Sequence, residues 1–108
     1  MNDDWIPIRY RDFYDIPRAF VVEYQGEALF FDCPFAESLD DYADEYTVYR
    51  LDDELRDRID SIPWTDIGGR SNRIGAVPTG AVKFDASRRR AIHAQVFELL
   101  GIKPRGEG

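Results

Sequence analysis

The chain has 108 residues, one cysteine and a formal net charge of −7, with 44% hydrophobic and 32% charged residues. This length and balance describe one folded domain, which buries roughly 65% of the surface its unfolded chain exposes. They exclude a disulfide scaffold and a membrane-spanning helix: a lone thiol has no internal partner, and the longest uncharged run, Ile74 to Val82, is nine residues, far short of a bilayer's width.

Aromatic residues reach 14%, so a core of Phe, Tyr, Val and Ile is expected, which favours strands. Charge is uneven along the chain. Residues 1–61 hold 6 Lys/Arg against 17 Asp/Glu, a net −11, and residues 62–108 hold 8 against 4, a net +4. Acid stands near the N-terminus where a signal peptide carries base, and a cytoplasmic location is expected.

In chain order, "WIPIRYRDF" alternates, with Ile6, Ile8 and Tyr10 on one face. Pro7 removes a donor and points to an edge strand. "RAFVVEYQGEALFFDC" holds two β-rich runs around Gln25-Gly26, the signature of a tight hairpin. A two-residue loop sets Tyr24 opposite Glu27, Val22 opposite Leu29 and Phe20 opposite Phe31. That face is assigned to the core, and the face with Val21, Ala28 and Phe30 is mixed. "YTVYRL" reads as a further strand, with either Tyr46/Val48 or Tyr49/Leu51 inward.

"DDELRDRIDSI" reads as a short helix. Asp52 is the expected N-cap, Leu51, Leu55, Ile59 and Ile62 form its apolar stripe, and Pro63 ends it. "PWTDIGGRSNRIG" reads as a loop. Ala81 to Phe84 is the better strand of the next segment. "DASRRRAIHAQVFELLG" reads as a C-terminal helix with Ile92, Val96, Leu99 and Leu100 buried. The domain is expected over 1–103, with 104–108 as a loose tail. The fold class is α+β: an antiparallel four- to five-stranded sheet, a short middle helix and a C-terminal helix on one face. The alternative is a small SH3-like β-barrel with a C-terminal helix.

Cys33 continues the Leu29/Phe31 face and is expected inside as a small hydrophobe. A nucleophilic thiolate needs an electropositive pocket, whereas the sequence neighbours are Asp32 and Glu37. "DDYADEY" lacks EF-hand spacing, and one His with one Cys cannot form a zinc set. No metal and no cofactor are expected. No Gly-x-Ser-x-Gly is present, and His93 is placed beside the helix stripe.

Two surfaces remain. Glu37, Asp40, Asp41, Tyr42, Asp44, Glu45 and Tyr46 form an acidic, aromatic run suited to docking. Gly68, Gly69, Arg70 and Arg73 form a weaker anion cradle that lacks the Gly-Lys-Ser/Thr ending of a Walker loop. Nucleic acid is disfavoured by the −7 charge, despite Arg70, Arg73, Lys83 and Arg88 to Arg90. The leading expectation is a non-enzymatic interaction module of inhibitor, immunity or accessory-subunit type. Its partner would be a protein with a basic surface, or a second copy. A small ligand-binding protein or enzyme using the Gly/Arg loop for a phosphate or carboxylate is the alternative.

Overall fold

The computed structural model describes residues 5–14, 16–24, 26–63, 66–67, 72–85 and 91–101. The strands are β1 (Trp5–Tyr14), β2 (Ile16–Tyr24), β3 (Glu27–Asp32), β4 (Phe35–Ala36), β5 (Asp41–Tyr42), β6 (Glu45–Leu51), β7 (Asn72–Pro78) and β8 (Ala91–His93). Among the described residues two short α-helices, α1 (Asp53–Asp57) and α2 (Gln95–Leu99), and 3-10 turns at Glu37–Leu39 and Thr79–Ala81 accompany them. Six strands form one antiparallel sheet in the order β7-β6-β3-β2-β1-β8, and β4-β5 is a separate ribbon. The class is α+β. The sheet has six strands where four or five are expected, and its ladder is open between β7 and β8.

The β2–β3 hairpin has the register its sequence dictates: Phe20 opposite Phe31, Val22 opposite Leu29, Tyr24 opposite Glu27. Gly26 has φ 80, a conformation glycine adopts without steric cost. Ile8, Phe20, Val22, Leu29, Phe31, Cys33, Tyr46, Val48, Val77, Ile92 and Phe97 meet on one side of the sheet. Phe20 stacks on Phe31 with ring centroids 4.7 Å apart, and Tyr46 meets both rings edge-on. Burying each such side chain contributes roughly 1.5–3 kcal/mol.

The opposite side is also dry at the centre. Ala19, Val21, Ala28, Phe30 and Leu51 pack against Leu55, Ile59, Ile62 and Ile67. The ambiguity of β6 is thereby resolved: Tyr46 and Val48 serve one core while Leu51, with Tyr49 at its margin, serves the other. Asp52 caps α1, accepting the Leu55 N–H at 2.8 Å.

Four expectations need correction. β1 is not an edge strand. It pairs with β8 over Trp5 to Pro7 and with β2 from Ile8 onward, so Pro7 sits where the strand changes partner. "NRIG", expected as the end of a loop, opens strand β7, which carries a bulge where it leaves register beside Val48 and Tyr49. Gly75 makes room there, since a Cβ would stand 3.3 Å from Leu100 Cδ2. Ala81 to Phe84 forms no strand beyond a single bridge at Phe84. The C-terminal helix is only five residues long. Ile92 lies opposite Ile6 in β8 and bridges Phe84, so cross-strand pairing overrides helix propensity. Phe97 is fully buried and stacks on Tyr24 at 3.9 Å, whereas Leu99 is 55% exposed. Arg88 to Arg90 and the tail 104–108 lie outside the described residues.

Candidate functional site

The acidic run is a built projection between β3 and β6. Phe35 pairs with Tyr42 and Ala36 with Asp41, and the 3-10 turn closes the ribbon. At the turn the Asp40 N–H donates to the Glu37 carbonyl at 3.1 Å, and Asp40 takes φ 52. Aspartate tolerates that left-handed conformation better than most residues. At the base, the Ala43 N–H donates to the Pro34 carbonyl at 2.9 Å. Thr79 donates its N–H and its hydroxyl to the Asp44 carbonyl, at 2.9 and 3.2 Å. The ribbon is thus tied to the end of β7.

Glu37, Asp40, Asp41, Asp44 and Glu45 are all exposed. Among the described residues, Glu37, Asp40, Asp44 and Glu45 form no ion pair. Tyr42 sits in β5, opposite Phe35. Tyr46 does not belong to this surface. It is 0% exposed, and its hydroxyl donates to the Pro17 carbonyl at 2.6 Å. Its strand position, in phase with Val48, turns it inward.

Beneath the ribbon lies Cys33, 1% exposed. Its thiol donates to the Ala43 carbonyl at 3.0 Å and accepts from Arg18 Nη1 at 3.3 Å. The Cys33 N–H donates to the Arg18 carbonyl at 2.7 Å. The sulfur therefore fastens the ribbon's base to the sheet, in a place no reagent reaches without opening. Its charged hydrogen-bond partner is a guanidinium, where the local sequence offers only carboxylates. Arg18 is missed by a reading of linear neighbours, yet the hairpin register places residue 18 opposite residue 33.

Gly68, Gly69 and Arg70 lie outside the described residues, and Arg73 is exposed on β7, opposite Tyr49. His93 is on β8, not on a helix. It meets Trp5 edge-on with centroids 5.3 Å apart, and its Nδ1 accepts the Gln95 N–H at 3.1 Å. An open depression of about 270 Å³ is lined by Pro7, Ile8, Arg9, Val21 and Glu23. Arg9 there reaches Asp60 at 3.4 Å, and Glu23 is the one carboxylate among these lining residues. Among the described residues no group of three or more His, Cys, Asp or Glu is placed to hold a metal ion. Nor is any helix among them long and apolar enough to cross a membrane.

No family model, curated protein or solved structure matches the chain.

Proposed function

We propose that this protein is a non-enzymatic interaction module, of inhibitor, immunity or accessory-subunit type, that docks a protein with a basic surface. The supporting observation is the anchored β4–β5 ribbon, which presents Glu37, Asp40, Asp41, Asp44 and Glu45 to solvent. Such a carboxylate field accelerates encounter with a cationic partner and sets its orientation. Ordering costs little, because the ribbon is already held at both ends by backbone bonds. The test compares the wild type with an Asp40→Asn, Asp41→Asn, Asp44→Asn, Glu45→Gln variant as baits in native lysate, at low and at physiological salt. A basic protein retained by the wild type at low salt, weakened by salt and lost from the variant is the expected result. Retention indifferent to both salt and the substitutions would overturn the reading.

A further inference from the structure

The outer edge of β7 is a second surface, which the ribbon does not use. β7 ends the sheet and has β6 on one side only. Hydrogen-bond alternation fixes which backbone groups face outward. The Thr79 N–H donates to the Asp44 carbonyl, and in the same register Val77 lies opposite Tyr46 and Gly75 opposite Val48. Antiparallel pairs alternate between bonded and non-bonded, so Thr79, Val77 and Gly75 turn their amide groups toward β6. Ala76 and Pro78 turn theirs away. Pro78, having no N–H, therefore removes no bond from the β6 ladder. Among the described residues the Ala76 N–H has no acceptor.

The two ends of this edge carry opposite charge. Arg73 is exposed at one end, and at the other Asp44 and Glu45 are exposed, with Glu45 opposite Pro78. None of the three forms an ion pair among the described residues. We propose that two copies of the chain pair antiparallel through β7 about a two-fold axis at Ala76, setting Arg73 of each against Glu45 of the other.

In that arrangement each Ala76 N–H donates to the Ala76 carbonyl of the second copy. Glu45 of the second copy then lies two strands across from Arg73, about 10 Å at the backbone, within the joint reach of the two side chains. Both point to the same face, since Arg73 lies opposite Tyr49 and Tyr49 is in phase with Glu45 on β6. The bulge at one end and Pro78 at the other shorten the usable edge. Sheets use such devices against open-ended association, and a two-fold pair consumes each edge once and closes. This inference goes beyond the docking ribbon and shares Glu45 with it.

Sedimentation equilibrium of the full chain tests the proposal, over a range of concentrations at low and physiological salt. A dimer is expected, weakened by salt. Arg73→Glu or Glu45→Arg alone should raise its dissociation constant on the order of tenfold, and the two together should restore it to within a few-fold. Ala76→Pro, which removes only the outward donor, should leave monomer with an unchanged circular-dichroism spectrum. If that variant fails to fold, the charge-reversal series decides. A monomer at every concentration overturns the proposal, whether or not the Ala76 amide resists exchange because another segment covers it. So does a dimer indifferent to the charge reversals.

Discussion

Cys33 and Arg18 face each other across the β2–β3 ladder, and the pair shows how far a single residue's environment follows from the chain. Period two places Arg18 in phase with Phe20 and Val22, and Cys33 in phase with Leu29 and Phe31. Linear neighbours gave the opposite sign of charge beside the sulfur, because strand pairing brings residue 18 closer than residue 37. Burial makes a kinetic statement: modification of the native thiol must wait for local or global opening. A thiol reagent should therefore label native protein orders of magnitude more slowly than the urea-unfolded chain, and equal rates would contradict the buried placement. Tyr46 makes the companion case. Its hydroxyl donates to the Pro17 carbonyl inside the core, so Tyr46→Phe strands a buried acceptor while keeping the ring. The loss in unfolding free energy should be roughly 1–2 kcal/mol, read from a urea titration. A neutral substitution would show that water already serves that carbonyl.

At the scale of elements, α1 is held by one cap and one apolar stripe. Asp52→Ala removes the acceptor of the Leu55 N–H and should cost about 1 kcal/mol. Asp52→Ser, which keeps a short side-chain oxygen, should recover most of it in the same titration. Stability unchanged in Asp52→Ala would mean that packing of Leu55 and Ile59 alone fixes the helix. The hairpin was legible because it obeys one period from end to end; of the expected helix only Asp53–Asp57 forms, and Ile59 and Ile62 reach the same core from the turn that follows it. β7 was not legible, for a specific reason. Its bulge puts Ile74 and Val77, three apart, against the same core, so the alternation that marks a strand is broken. α2 failed in the other direction. Ile92, Val96 and Leu99 carry helical spacing, but Ile92 belongs to a strand because Ile6 and Phe84 lie beside it. Pairings over more than 80 residues leave no local trace. The acidic ribbon was legible as composition, and its strand pairing, two residues on each side, was too short to show any period.

At the scale of the whole molecule, a chain of net charge −7 repels itself in the folded state. The described ion pairs, including Arg9–Asp60, Arg50–Glu27 and Arg58–Glu54, lie at the surface, where each contributes roughly 0–1 kcal/mol. Salt therefore removes little stabilisation by screening them. The repulsion within a chain of net charge −7 has the longer range. Glu37, Asp40, Asp44 and Glu45 contribute to it from the surface, with no ion pair among the described residues. Raising ionic strength from about 0.01 to 0.15 M shortens the Debye length from roughly 30 to 8 Å, which silences the repulsion before it touches contacts at hydrogen-bond distance. The thermal midpoint should therefore rise with salt over this range. The Asp40→Asn, Asp41→Asn, Asp44→Asn, Glu45→Gln variant should melt higher than wild type at low salt and respond less to added salt. A midpoint that falls with salt, or a variant that melts lower at low salt, would show that these carboxylates stabilise the fold. Their clustering would then need no partner to explain it.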